Sequence, residues 1–292
     1  MPTQTNTSAL PIGRIGDLNI SRLMLGGNLI SHYHHCRDQH YVFNLVAHYN
    51  TPQKILETLA VAEENGINAM NIHTVDWAHQ LMRQHRNRGG RMQWILCPTA
   101  STDGDDPLVY REEVMRLAEL GADAFYVWGC HSDPLLAAGK IDVIGRCLDI
   151  FRQCGVPAGV GAHDLEVIKA SEAAGLGPDF YVKTFHHHNY PTGPKVSPDE
   201  LQYATDEHVG YWDKDPQATA EFMAGVEKPW IAFKTMAAGT IPPEDALKYV
   251  FANGADFVFF GMFDYEIAKD VEIASAVLVE QLGRQRARPW YG

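Results

Sequence analysis

The feature that most constrains the fold of this chain is a regular alternation of short apolar segments with longer amphipathic ones. Eight short segments are almost continuously apolar, and they read RLMLGG, INAMNIH, QWILCP, ADAFYVWG, PAGVGAH, DFYVKTF, PWIAFKT and ADFVFFG. The stretches between them, such as TPQKILETLAVAEEN and PEDALKYVFANG, carry apolar residues at helical spacing and often end in Gly. Buried parallel strands are typically continuous apolar runs that alternate with helices. Eight such units therefore predict an α/β fold, a closed (β/α)8 TIM barrel rather than an open sheet.

The length and charge of the chain narrow its partners. Its 292 residues fit one barrel domain spanning 1–292, because such barrels commonly take about 250 residues. The 24 basic and 36 acidic residues give a net charge of −12, which opposes binding to nucleic acid backbones and to anionic membrane surfaces. We therefore expect small-molecule substrates, with no nucleic acid and no membrane partner. A homo-oligomer stays open.

The cysteine pattern and the lack of long apolar runs indicate a cytoplasmic protein. The five cysteines are odd in number and form no C-x-x-C pair, so neither a disulfide framework nor a thiolate zinc site is indicated. The first residues contain no run as apolar as a secretion signal, and no later segment approaches the roughly 20 apolar residues of a membrane span. A reducing, cytoplasmic compartment fits both observations.

Two segments depart from a minimal barrel. The stretch 189–228 is far longer than the usual strand-to-helix loop of about 2–6 residues, so we interpret it as a lid over the rim, with a plain surface excursion as the alternative. The tail 283–292 is locally basic and ends with two aromatic residues. It is either a docking strap or a frayed terminus.

Histidines gather where the predicted strands end. In a (β/α)8 barrel the residues after each strand meet at the carboxyl-terminal rim, where binding sites are built. Imidazoles and carboxylates follow five of the predicted strands, and they are His32, His34, His35, His73, Asp76, His131, Asp133, His163, Asp164, His186, His187 and His188. Seven or more of the 14 histidines therefore collect at one predicted rim.

Several motifs along the predicted barrel resemble the aldo-keto reductase superfamily. ISRLMLGGNLI resembles the first strand of that family with its L-G-x-G element, and GINAMNIHTVDWAH resembles its second-strand segment. GADAFYVWGCHSDP is similar to the fourth strand, where His131 falls on the catalytic histidine of the family. VPAGVGAHDLEVIKASEAAG and IAFKTMAAG resemble the fifth-strand and seventh-strand motifs. The resemblance covers most of the barrel and implies an aldo-keto reductase-like scaffold.

Most of the catalytic tetrad of the aldo-keto reductases is not matched, so the chain looks like a divergent member. His73 stands where the family carries Asp, and Trp77 or His79 stands where its proton-donating Tyr would follow. The segment ILCPTAS after the third strand lacks the catalytic lysine of the family, which leaves His131 as the retained member.

The segment that corresponds to the nucleotide-binding loop of the family is altered as well. The loop GMFDYEIAKD presents Asp264 and Glu266 and lacks the basic residue that in the family holds the nucleotide phosphate. Carboxylates there would repel the phosphate of NADP. The resemblance therefore supports the scaffold and makes NAD(P) a less favoured cofactor.

The imidazoles and carboxylates at the rim predict a metal centre. They supply the nitrogen and oxygen ligands that suit Zn, Mn, Fe, Co or Ni, and a divalent transition metal with an open position can polarise a carbonyl group. The preferred ligands are His73, His131, His163 and His187, with Asp76 or Asp164 as a ligand or as a partner of one. The alternative is that several of these histidines are hydrogen-bonded loop residues or substrate contacts.

Two lysines interrupt apolar strands and are candidate catalytic groups. Lys183 and Lys234 are general-base or substrate-binding candidates if they project into the barrel mouth, and otherwise they extend outward or pair with a carboxylate such as Glu266. His131 and Asp164 complete the set of candidate catalytic residues. Of the three consecutive histidines after Lys183, at most two can point to the centre of the rim, since neighbours in an extended segment face opposite ways.

These features together predict a metal-dependent, non-redox enzyme of the lyase, hydratase or isomerase type. Its substrate would be a small polar carbonyl compound or a sugar derivative, because the rim is acidic and rich in aromatic residues such as Trp128 and Trp212. An NAD(P)-dependent oxidoreductase of the aldo-keto reductase type is the first alternative. A non-catalytic barrel that serves as a binding subunit is the second.

Overall fold

Eight parallel strands of the chain close into a barrel. The structure is a computed structural model that describes residues 9–35, 39–102, 107–201 and 211–292. The barrel strands run in chain order around the ring, and the last strand pairs with the first, which confirms the predicted (β/α)8 fold. They are β3 Leu23–Gly26, β4 Ala69–His73, β5 Gln93–Cys97, β6 Ala124–Val127, β7 Ala158–Ala162, β8 Phe180–Thr184, β9 Trp230–Phe233 and β10 Phe257–Phe260.

The helices follow the amphipathic stretches of the sequence. They are α1 His40–Tyr49, α2 Pro52–Glu64, α3 Asp76–Asn87, α4 Leu108–Glu119, α5 Gly129–Ala137, α6 Ile141–Gln153, α7 Leu165–Ala173, α8 Pro216–Met223, α9 Pro243–Ala252 and α10 Asp264–Leu282. Capping side chains and prolines determine where several of these helices begin. Thr51 and Asp215, for example, accept a hydrogen bond from a first-turn backbone N–H, and each precedes a proline at the first helical position.

Two apolar clusters hold the barrel together. The inner cluster fills the barrel with residues such as Met24, Ile95 and Ile231, and the outer cluster lies between the strands and the helices. Strand residues contribute to both because successive side chains point to opposite faces. Continuous apolar runs are therefore needed along the whole strand, as the sequence predicts.

The amino-terminal end of the barrel is covered by two segments from the chain ends. A hairpin of β1 Ile12–Ile15 and β2 Leu18–Ser21 extends Ile15 and Ile20 into the inner cluster. The tail 283–292 packs beneath the barrel as a strap, and the Arg22 guanidinium donates to the carbonyl of Gly292 at 2.8 Å.

The long segment 189–228 is partly helical and partly packed on the barrel rim. It contains a short 3-10 helix, Pro198–Glu200, and helix α8. Tyr190, Tyr211 and Trp212 are buried. Residues 202–210, in the middle of the predicted lid, lie outside the described residues.

Among the described residues, every helix is too short or too polar to cross a bilayer. The longest helix, α10, has 19 residues and carries several charged side chains, including Asp264, Glu266, Lys269 and Asp270.

Candidate active site

The carboxyl ends of the strands surround two adjoining cavities. The larger has a volume of about 360 Å³ and lies among the segments that follow β3, β9 and β10. The smaller has a volume of about 40 Å³ and lies closer to β4, β6 and β7. Asn28, His35, Asn71, Phe233 and Lys234 line both cavities, so ligands in the two would meet at these residues.

Lys234 lies at the junction of the two cavities, directly after β9. Its backbone has φ of 56°, in the left-handed region that non-glycine residues rarely occupy. A turn holds this conformation, since the N–H of Ala237 donates to the carbonyl of Lys234 at 3.0 Å. Strained backbone of this kind persists where the surrounding structure enforces it, often at functional sites. The half-buried side chain brings its Nζ atom within 3.0 Å of His163 Nε2.

Asp133 orients the imidazole of His163. The Oδ2 atom of Asp133 lies 2.7 Å from His163 Nδ1, and Oδ1 accepts from the backbone N–H groups of His163 at 3.1 Å and Asp164 at 3.2 Å. These bonds favour the tautomer with the proton on Nδ1, which leaves Nε2 to accept from Lys234. Gly129 makes room for the ring, because a Cβ atom there would lie 2.9 Å from His163. The result is a hydrogen-bonded Asp133–His163–Lys234 chain.

Two polar side chains of the larger cavity have buried atoms that make no hydrogen bond with the described part of the chain. They are the hydroxyl of Thr235, a residue 2% exposed, and both ring nitrogens of His34. Burial, followed by the charge of His32, lowers the pKa of His34. Buried polar groups normally find partners, so these atoms are candidates to bind a polar ligand.

Two carboxyl groups line the larger cavity. Glu266 and Asp270 on α10 line it, and burial, followed by the negative charge of Glu266, raises the pKa of Asp270 to about 6. Asp264, the other carboxylate predicted there, instead accepts from Lys54 at 3.2 Å and from the Tyr49 hydroxyl at 2.6 Å. The cavity is therefore lined by a lysine and by two carboxyl groups.

Aromatic rings and an amide line the smaller cavity. The His73 ring lies between Tyr33 and Trp128, with centroid distances of 5.3 and 5.5 Å. Asn71 donates to the hydroxyl of Tyr126 at 2.8 Å at the base of the cavity. This small, ring-lined volume suits a compact substrate.

The predicted metal centre is not assembled. The described residues contain no group of three or more His, Cys, Asp or Glu side chains positioned to hold a metal ion. His73 and His163 do line the same small cavity, but His163 is held by Asp133 and Lys234. His131 lies on α5, where its ring contacts Trp128 and Tyr110 rather than either cavity.

The remaining predicted ligands also lie elsewhere. The Nε2 atom of His187 lies 3.2 Å from Asp245, away from both cavities. Asp164 caps the start of α7 by accepting from the N–H of Glu166 at 3.0 Å. Asp76 begins α3, and its side chain lies outside the described part of the structure.

The two predicted catalytic lysines have different environments. Lys183 is 0% exposed, lines neither cavity, and donates to the backbone carbonyl of Thr184 at 2.9 Å and to Asp213 at 3.4 Å. Strand β8 therefore buries Lys183 against the segment that contains Asp213. Lys234 lines both cavities at the mouth of the barrel, so it meets the condition under which the sequence makes it a catalytic candidate.

Asp133 and Thr235 are the site residues that the sequence-based selection missed. Asp133 is visible in the sequence as one of the carboxylates after the fourth apolar segment, two residues from His131. Helix α5 begins at Gly129, so the helical turn directs Asp133 towards His163 and His131 towards α4. No sequence signal distinguishes the Thr235 hydroxyl, because its lack of a partner is a property of the assembled cavity.

Comparisons with known proteins support the scaffold. No protein-family model matches the sequence, and no curated protein matches it. Among solved structures, a putative aldo-keto reductase from Pseudomonas aeruginosa is similar, with 16% identity, a TM-score of 0.57, and coverage of 93% of this chain and 97% of that one. A Gox0644 mutant in complex with NADPH has 13% identity, a TM-score of 0.58, and coverage of 97% of each chain.

A third similar structure is that of a different kind of enzyme. The phospho-2-dehydro-3-deoxyheptonate aldolase of Thermotoga maritima has 12% identity, a TM-score of 0.54, and coverage of 95% of this chain and 76% of that one. At such identities the likeness concerns the fold, which hosts many chemistries. It agrees with a (β/α)8 barrel like those of the similar structures.

Proposed function

We propose that this chain is a nicotinamide-dependent oxidoreductase that interconverts a small carbonyl compound and the corresponding alcohol. The observation that supports the proposal is the position of Lys234, which lines both cavities and is hydrogen-bonded to His163. A redox reaction between two bound molecules needs a larger site beside a smaller one. It also needs a proton donor at the junction, and Lys234 meets this requirement.

The larger cavity has features that fit a dinucleotide. Its volume of about 360 Å³ lies in the usual range for small-molecule sites, and the Thr235 hydroxyl and His34 ring offer buried polar atoms to a ligand. Glu266 and Asp270 would accept hydrogen bonds from the hydroxyls of a ribose and would repel an added phosphate. We therefore propose NADH rather than NADPH as the cofactor. One of the similar structures, by contrast, is a complex with NADPH.

Lys234 would act as the proton donor to the carbonyl oxygen. A bound reduced nicotinamide would supply the hydride that the carbonyl carbon gains. The Lys234 ammonium donates one N–H to His163 Nε2 and would donate another to the substrate oxygen as negative charge develops on it. Asp133 keeps the imidazole in the accepting tautomer. The oxygen gains the proton, and Lys234 recovers one from water.

The smaller cavity would hold the substrate. Its volume of about 40 Å³ limits the reacting end of the substrate to a few atoms. His73, Trp128 and Tyr33 form a wall of rings, which would shield the reacting carbonyl from water. In this arrangement His73 forms part of the wall of the substrate site and is not a metal ligand.

A turnover assay tests the proposal. Purified protein is incubated with NADH and a panel of small aldehydes, ketones and 2-oxo acids, and loss of the reduced-nicotinamide absorbance is followed. We expect turnover with at least one compound, and a loss of about 10²–10⁴-fold in kcat for Lys234→Met, because that change removes the proton donor. Lys248→Met is the matched control, since Lys248 is an exposed helix residue paired with Glu244. Equal activity of Lys234→Met and wild type would refute the assigned role.

A non-redox reaction is the second candidate. The paired carboxyl groups of Glu266 and Asp270 in the larger cavity favour it, since they oppose a phosphate-rich cofactor. In that case Lys234 or His163 would remove a proton next to a carbonyl group, as in an isomerase or lyase. Exchange of such a proton with deuterium oxide in the absence of nicotinamide, lost in Lys234→Met, would favour this candidate.

A further inference from the structure

Two of the three consecutive histidines, His186 and His188, contact a segment whose tryptophan lies near the site lysine. Trp212 is 1% exposed, and its ring lies 5.7 Å from the Nζ atom of Lys234. We infer that His186 and His188 clamp the segment 211–213 so that Trp212 keeps the Lys234 ammonium in place. Trp212 is then a positioning residue for the proton donor. This inference rests on the proposed role of Lys234 in the reaction.

The clamp acts on the backbone of the tryptophan segment. The Nε2 atom of His186 accepts from the backbone N–H of Trp212 at 2.9 Å and of Asp213 at 3.3 Å. Its Nδ1 donates to the carbonyl of His187 at 2.9 Å, which fixes Nε2 as the acceptor. The Nε2 atom of His188 lies 2.6 Å from the carbonyl oxygen of Asp213. Two imidazoles on one short segment thus bind backbone N–H and C=O groups of the segment 211–213.

A buried ion pair adds a third anchor to the same segment. Asp213 is 2% exposed and receives Lys183 at 3.4 Å and the Thr219 hydroxyl at 3.0 Å. Breaking a buried pair by removing one partner is costly, because a buried charge is left uncompensated. The anchor therefore resists displacement of Trp212.

Burial keeps His186 in the form that the clamp needs. Desolvation is the main cause that lowers the pKa of His186 to about 3, so its Nε2 atom stays an acceptor at all ordinary pH values. The clamp is therefore a constant feature of the site rather than a pH-dependent switch.

The aromatic face favours the charged form of the lysine. A cation within about 6 Å of a tryptophan face is stabilised by the ring quadrupole. Phe233 supplies a second ring at 5.7 Å from the same Nζ atom. The other titratable groups that line the two cavities in the described residues are His163 with Asp133 behind it, Tyr33, His35, His73, Tyr126 and Cys130 at the small cavity, and His34, Glu266 and Asp270 at the large one.

Competitive acetylation with acetic anhydride tests this inference without a cofactor or substrate. The rate of Lys234 modification is measured by peptide mass spectrometry as a function of pH, since only the neutral amine reacts. In Trp212→Leu the half-maximal rate is expected to move to lower pH by about 0.5–1 unit, because the ammonium loses its π partner. Trp212→Phe, which keeps a ring, should move it by less. His186→Leu should resemble Trp212→Leu, because the clamp is lost.

The opposite end of the barrel offers a matched control. The ring of Trp290 lies 3.5 Å from the guanidinium of Arg286, so Trp290→Leu removes a cation–π contact remote from the site. It should leave the pH profile of Lys234 unchanged. If Trp212→Leu does not fold, His186→Leu decides the matter, because it is expected to give the same shift.

Two results would overturn the inference. One is an unchanged half-maximal pH in the folded Trp212 variants, including a case in which only the plateau rate rises through greater access. The other is an equal shift in Trp290→Leu. Because no cofactor is present, a shift in the Trp212 variants would support the inference even if NADH proved not to bind.

Discussion

Both ends of the barrel contain charged groups that are at least partly buried, but the surroundings of these groups differ. At the amino-terminal end the Asp256 carboxylate, 0% exposed, receives Arg286 at 2.7 Å, Arg288 at 2.6 Å and the backbone N–H groups of Trp230 and Tyr291 at 2.9 Å each. At the carboxyl-terminal end the Lys234 ammonium lies between two cavities, next to the buried hydroxyl of Thr235.

The difference separates structural from functional charge. The Asp256 carboxylate already accepts from two guanidinium groups and two backbone N–H groups, so it has little left to offer a ligand. Polar atoms that face a cavity without a partner in the chain cost stability and are retained where a ligand uses them. By this criterion the arginine cluster fixes the tail 283–292, and the lysine end is the one that we propose as the ligand-binding and reactive end.

Removal of Asp256 should have the largest effect on stability. In Asp256→Ala two buried guanidinium groups lose their counterion, so we expect the free energy of unfolding to fall by about 3–5 kcal/mol. Urea denaturation followed by circular dichroism measures the loss. NADH affinity of the folded fraction should not change, because the network is at the opposite end of the barrel from the cavities.

An exposed ion pair near the same end is the control. Arg14 and Asp17 lie 3.6 Å apart with highly exposed side chains, so Asp17→Ala should cost less than about 1 kcal/mol. A similar cost for Asp256→Ala and Asp17→Ala would remove the distinction between the network and an ordinary surface pair.

Replacement of Thr235 should separate ligand binding from stability. Thr235→Val keeps the shape and removes the hydroxyl, so we expect NADH affinity to fall roughly two- to tenfold. Stability without ligand should stay equal or rise, since the hydroxyl has no partner in the described part of the chain. Thr58→Val should behave in the opposite way, because the Thr58 hydroxyl already donates to the carbonyl of Lys54 at 2.9 Å. Unaltered affinity in Thr235→Val would exclude this hydroxyl from the cofactor site.

The effect expected at Asp270 depends on pH. Its pKa is raised from 3.8 to about 6 in the folded protein, first by burial, so the folded state holds the proton more tightly than the unfolded state does. This contribution to stability is complete below about pH 4 and is lost as the pH rises through about 6. Thermal midpoints of Asp270→Asn and wild type should therefore diverge in favour of the variant between these values. A constant difference across the range would contradict the assignment.

The fold could be predicted from the sequence because it depends on a repeated pattern. Every barrel strand coincides with one of the eight apolar segments, and a strand buried on both faces needs such a run at each repeat. The end of the barrel at which polar residues gather follows from the same topology. These inferences tolerate errors of a residue or two in each boundary.

The identity of the site residues could be predicted only in part, because side-chain direction depends on where each helix begins. His73, His163 and Lys234 reach the cavities, as expected of rim residues. His131 turns away because α5 starts immediately after β6, and His187 turns to Asp245 because the residues on either side of it hold the segment 211–213. A helix that begins one residue later would exchange these roles, and the sequence does not determine that choice.

The most direct measurement is an equilibrium titration of the purified protein with NADH, followed by quenching of tryptophan fluorescence, with NADPH titrated in parallel. We expect saturable binding of NADH at one site with a micromolar dissociation constant. Binding of NADPH should be weaker because Glu266 and Asp270 oppose its additional phosphate. Absence of saturation by either nucleotide would contradict the proposed cofactor site in the larger cavity and favour non-redox chemistry at Lys234.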